Sequence, residues 1–102
     1  MRIGCVIGTV TLNRAHPGLA AGTFKLVVPL SLEQLQQGQA PTREALVALD
    51  PLGSGVGSLV ALAEGPEAAQ PFRPELKPLD ASVAVVLDHV ELNRQAVQQC
   101  TP

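Results

Sequence analysis

Eight residues in the middle of the chain, Asp50-Pro51-Leu52-Gly53-Ser54-Gly55-Val56-Gly57, constrain its fold more than any other stretch. They lie between two short apolar runs, Ala45–Leu49 and Leu59–Ala63. Glycines at alternate positions (Gly53, Gly55, Gly57) let the backbone reach positive φ and let another backbone come close. The loop leads from strand to strand and opens no helix, so it suits packing against its own copies better than it suits a nucleotide. The flanking runs are apolar on both faces. A chain of 102 residues can bury both faces of such strands only if a neighbour covers one of them. The sequence therefore reads first as a building block of an oligomer.

Composition supports that reading. The length allows one core, and 46% of the residues are hydrophobic, yet there are two Phe and no Trp or Tyr. Small aliphatic side chains each bury little area, so a solitary domain of this size is only marginally stable. Burial between subunits is a natural remedy. A net charge of −2 without a basic run argues against nucleic acid, which calls for clustered Lys and Arg and usually for stacking aromatics. No apolar stretch approaches the roughly 20 residues that span a bilayer, and Met1-Arg2 leads straight into a strand-like run without a signal-peptide pattern. Cys5 and Cys100 make no disulfide framework. A cytoplasmic location with reduced thiols is expected.

Five strands are expected. The first covers Arg2–Asn13, with Ile3, Cys5, Ile7 and Thr9 on one face and Val6, Val10 and Leu12 on the other. Gly4 and Gly8 stand on this second face and mark bends or close contacts of the kind a barrel needs. A loop with His16-Pro17-Gly18 at its turn leads to the second strand, Thr23–Leu30, where Pro29 signals an end or an edge. Ser31–Gly38 reads as one helical turn, capped by Ser31 and stopped by Gly38, or as an extended loop. Glu44–Asp50 and Ser58–Glu64 are the third and fourth strands. The Pro-rich stretch from Gly65 to Pro78 cannot be a regular strand, although Pro66 can start a short helix. Asp80–Val90 is the fifth strand, and Glu91–Gln99 is a short helix or an arm. Together these predict a mainly β fold: a small five-stranded barrel of oligonucleotide-binding type over residues 1–90, with one or two helical turns and a tail over 91–102.

Little in the chain carries catalytic chemistry. The glycine loop fails as a dinucleotide fingerprint, because the third glycine of that pattern falls at Ser58 and no helix follows to hold a phosphate. His16, His89, Cys5 and Cys100 occur in no metal-ligand spacing. His16 reads as a solvated loop residue, His89 as turned outward at the end of the last strand, and Cys5 as a small core hydrophobe. Asp80, Asp88 and Glu91 supply carboxylates near His89, but nothing local sets a base beside Ser54 or Ser58. Asp50 and Asp80 read as turn-formers that accept backbone N–H bonds. No catalytic residue, cofactor or metal is expected.

Four blocks resemble the bacterial microcompartment vertex proteins, the EutN/CcmL family. Met1 to Thr11 resembles that family's first strand, Met-x-ϕ-x-x-Val-x-Gly-Thr-Val, where ϕ is apolar. Lys25-Leu26-Val27-Val28 and Leu30 resemble its Lys-Leu-Leu-x-Val strand. Ala48 to Gly57 resembles its glycine turn, matching at Asp50, Gly53, Gly55 and Gly57, and Pro78-Leu79-Asp80-Ala81 through Asp88 and Val90 resembles its last strand. The resemblance implies a barrel that closes into a homopentamer at the vertices of a polyhedral protein shell, beside hexameric facet proteins, with no catalysis and no cofactor. It also implies that Gly53, Ser54, Gly55, Val56 and Gly57 lie near the ring axis, any opening being lined by backbone and Ser54. A carboxysome, which serves CO2 fixation, is favoured over an ethanolamine or propanediol shell. Three departures stand out. Ser58-Leu59 replaces a Glu followed by an aromatic, Gly65–Gln70 lacks the family's usual Arg, and Ser31–Thr42 is long and expected at the surface. Two other classes are to be weighed: a small barrel that binds nucleic acid or peptide, and an enzyme using Asp80, Asp88 or His89.

Overall fold

The computed structural model describes residues 1–37 and 44–101. Five strands, β1 (Arg2–Val10), β2 (Phe24–Pro29), β3 (Leu46–Leu49), β4 (Leu59–Glu64) and β5 (Ala81–Val86), close into a barrel in the order β1-β2-β3-β5-β4. Each strand coincides with a β-branched or aliphatic run and is shorter than expected at one end or both, β1 starting at Arg2 and β4 ending at Glu64 as expected. A strand persists only while a neighbour continues the ladder. Val86, opposite Val60, ends β5; Leu87 makes one further bond, its N–H donating to the Leu59 carbonyl at 2.9 Å, and Asp88–Val90 lie outside the sheet.

All neighbouring strands are antiparallel except β3 and β5, which run parallel and meet only where Leu49 faces Ser82. The glycine turn therefore joins two strands that do not pair, crossing the end of the barrel from β3 to β4. Inside, Val6, Val27, Ala48, Val60, Leu62, Ala81 and Val83 form an aliphatic core with partly buried Leu46 against it. Gly4 makes this closeness possible. A Cβ added there would lie 2.6 Å from the Val27 Cγ1 and 3.2 Å from the Val28 carbonyl oxygen.

Along β1 the register shifts between Val6 and Gly8, so Ile7 is an extra residue. Such a bulge re-aims every side chain after it. The single alternation expected for this strand therefore holds only up to Val6. Cys5 is also not a core residue. It is half-buried, because the inward positions on either side of it belong to Gly4 and Val6.

Short elements close the ends. Helix α1 (Leu32–Gln37) starts at Ser31 as expected, through a reciprocal pair: the Gln34 amide donates to Ser31 Oγ at 3.2 Å and the Ser31 amide to Gln34 Oε1 at 2.9 Å. The expected stop at Gly38 and the surface insert beyond it fall outside the described residues. Two 3-10 turns, Gly65–Ala68 and Gln70–Phe72, occupy the Pro-rich segment, and helix α2 (Arg94–Cys100), capped by Asn93, ends the chain. No described helix is long and apolar enough to cross a membrane.

Candidate functional site: the glycine turn

Asp50 organises the turn. It is 2% exposed, and its carboxylate accepts four hydrogen bonds. Oδ1 takes the Leu52 and Gly53 amides at 3.1 Å each, and Oδ2 takes the Ser54 amide at 2.7 Å and the Ser54 hydroxyl at 2.8 Å. Bonds from one carboxylate to successive amides fold a segment back on itself, and they replace the ladder bonds the turn cannot make. The expected turn-forming role of Asp50 is met in full.

Backbone bonds tie the turn to the barrel on two sides. The Asp50 amide donates to the Thr23 carbonyl at 2.7 Å. On the far side Gly57 N–H donates to Val6 O at 2.8 Å, and Val6 N–H donates to Ser58 O at 3.0 Å. Of the three glycines, Gly53 and Gly57 adopt positive φ, +73° and +92°, where a side chain is strained. Gly55 does not, and a Cβ there would have only the Ser58 Oγ near it, at 3.9 Å. Two glycines thus serve the turn itself, while the third is small without any need arising inside this chain.

Ser54, which the resemblance sets beside any axial opening, is turned inward in the single chain. It is 4% exposed with its hydroxyl committed to Asp50, so it presents nothing outward. The turn instead presents Val56, 68% exposed, and Leu52, 53% exposed. Sequence reasoning named Val56 only as a member of the glycine run and passed over Leu52. The signal was available: two large aliphatic side chains in a glycine loop serve no turn geometry.

The alternative residues gather no pocket chemistry. Asp88, His89 and Glu91 are close together but exposed, with His89 Nε2 3.3 Å from Glu91 Oε1 and Nδ1 3.9 Å from Asp88 Oδ2. His89 lies beyond the end of β5, not on it. His16 caps its own turn, its Nδ1 accepting from the Gly18 amide at 2.9 Å. Among the described residues, no group of three or more His, Cys, Asp or Glu is placed to hold a metal ion.

Comparison with known proteins gives the turn its context. A family model described as ethanolamine utilisation protein EutN/carboxysome matches residues 1–88. The chain is 33% identical to the carboxysome shell vertex protein CcmL of Synechococcus elongatus, over 95% of this chain and 93% of that protein. It is 34% identical to the bacterial microcompartment shell vertex protein GrpN of Rhodospirillum rubrum, over 89% and 97%. Among solved structures, CcmL of Gloeobacter violaceus superposes with a TM-score of 0.79 at 31% identity, over 91% of each chain. The GrpN pentameric microcompartment shell protein gives 0.75 at 28% identity, over 91% of this chain and all of that one.

Proposed function

Since the chain belongs to the family described as ethanolamine utilisation protein EutN/carboxysome, we propose that it is a structural shell protein whose cyclic pentamers cap the vertices of a carboxysome. The observation that carries this reading is the end-to-end superposition of the barrel on a pentameric shell protein, at a TM-score of 0.75. A small ring with five-fold symmetry suits a corner of a polyhedral shell, and a head-to-tail contact whose rotation closes makes such a ring. In this reading the Gly53–Gly57 turns converge on the axis, and the side chain each copy brings there is Val56. Hexameric facet proteins of the shell surround the pentamer in the cytoplasm. The chain performs no catalysis.

Two relatives named as carboxysome vertex proteins, at 30% and 33% identity, support the carboxysome as the compartment. A second reading, a vertex of another microcompartment, is favoured by the 34% identity to GrpN.

Native mass spectrometry of the purified chain tests the ring. The expected mass is about five times the monomer's 10.6 kDa, and a monomer or dimer at micromolar concentration overturns the reading. Expression in a cyanobacterium deprived of its own vertex protein tests the compartment. Restored closed polyhedral shells support the carboxysome, and shells left open count against it.

A further inference from the structure

The sheet formed by β5, β4 and β1 has an outer face without charge along its middle. Ile3, Ala61 and Val85 stand opposite one another in adjacent strands, and Cys5 opposite Leu59 makes the next row. The residues between them, Gly4, Val60 and Leu62, point into the barrel, so the pleat turns this set outward. The chain covers one end of the face itself. Ser82, opposite Ala63, donates from Oγ to the Ala68 carbonyl at 3.1 Å, which lays the 3-10 turn over that end. Along the rest, Val85 is 39% exposed, Ile3, Cys5 and Leu59 are half-buried, and the small Ala61 between its larger neighbours is 6% exposed.

A second apolar face lies elsewhere on the barrel. The strand order puts β2 and β3 across from β4. There Leu26 stands opposite Val47, and Val47 is 46% exposed. Opposed residues of paired strands share a face, so this row also points outward. One chain thus carries two apolar faces of different composition on different sides. Two unlike, mutually complementary faces are what a head-to-tail contact between identical copies requires, whereas a two-fold dimer uses one face twice.

We infer that the Ile3–Ala61–Val85 face of one copy packs on the Leu26–Val47 face of the next, the occupant of each face being a second copy of this chain. The contact rests on the pentameric reading and names the surfaces that build it. It covers Cys5 as well, which stands half-buried beside Leu59.

The test uses the full chain and three variants, each read by native mass spectrometry and by thermal unfolding. Val85→Glu and Val47→Lys each place a charge on one face, and each is expected to lower the mass from five chains to one while unfolding stays cooperative. If the unsubstituted chain is itself a monomer, the pentameric reading fails. If it is a pentamer and both variants remain pentamers, this contact fails and the pentameric reading stands. In case a charged variant does not fold, a third variant carries a benzophenone photocrosslinking amino acid at position 47. Intermolecular crosslinks into residues 1–8, 58–63 or 81–87 support the contact. Crosslinks between copies that reach only the partner's β2 or β3, or no crosslink in an intact pentamer, overturn it.

Discussion

The Ser54 hydroxyl donates to Asp50 Oδ2 at 2.8 Å, and the Ser54 amide donates to the same oxygen at 2.7 Å. Both residues are almost fully buried, so one carboxylate oxygen locks the middle of the turn to its first residue, four positions earlier. The turn is set before any neighbour arrives. A shell corner that must meet its copies at a fixed angle gains from such preorganisation, because less freedom remains to be lost on association.

Asp50→Ala removes all four acceptor contacts and leaves buried donors unpaired. Hydrogen bonds to a charged group contribute about 1.5–3 kcal/mol each, and their losses are not additive within one cluster. We expect a total loss of about 3 kcal/mol, read by urea unfolding. Ser54→Ala should cost about 1 kcal/mol, since it removes only one of the four bonds. Equal effects for the two variants would mean that the carboxylate does not organise the turn.

The three glycines of the turn should separate. At φ +92°, Gly57→Ala is expected to destabilise by about 1–2 kcal/mol through left-handed backbone strain. Gly55→Ala, with ordinary φ and open space, should leave the unfolding of the chain within about 0.5 kcal/mol. Any loss of assembly in Gly55→Val with retained folding then reports contact with a neighbouring copy. An unaltered ring would remove Gly55 from the axis.

Gly4→Ala drives a methyl group into Val27, which has no exposed surface. Overpacking of this kind costs about 1–3 kcal/mol. Combining it with Val27→Ala should recover part of that loss, because the clash is with the Val27 Cγ1. A double-mutant cycle in chemical denaturation measures the coupling.

Arg2 and Glu64 join the ends of β1 and β4 through two hydrogen bonds, 2.9 Å from Nε and 2.6 Å from Nη2. These bonds hold the Glu64 carboxyl below its usual range, against a weaker opposing push from burial. A lowered folded-state pKa gives stability that is complete above the ordinary glutamate range. It is lost as pH falls from that range through the lowered value. More than half of the Arg2 side chain is exposed, so solvent screening limits the gain to about 0.5 kcal/mol. Glu64→Gln should flatten the acid limb of the stability profile by that amount, and high salt should shrink the difference between the two proteins.

Local chemistry was legible. Runs of Val, Ile and Leu marked all five strands because β-branched side chains fit a pleated, half-buried surface. Ser31 before Leu32 marked a helix start, and Asp50 before Pro51 marked a turn, because each side chain reaches backbone donors a few residues away. The glycine run was legible as a turn between two strands, although which of its glycines need positive φ was not.

What only the tertiary structure decided lies between distant segments. Nothing in the spacing said that β3 and β4, joined by one short turn, fail to pair, or that β5 slips between them. The bulge at Ile7, the burial of Ser54 and the meeting of Arg2 with Glu64 across 62 positions belong to the same class. Sequence periodicity records which face of a segment is apolar, and that preference is settled within a few residues. Closing a barrel is a collective choice: each strand must satisfy two neighbours and fill one core at once, and only the packed chain determines which register does both.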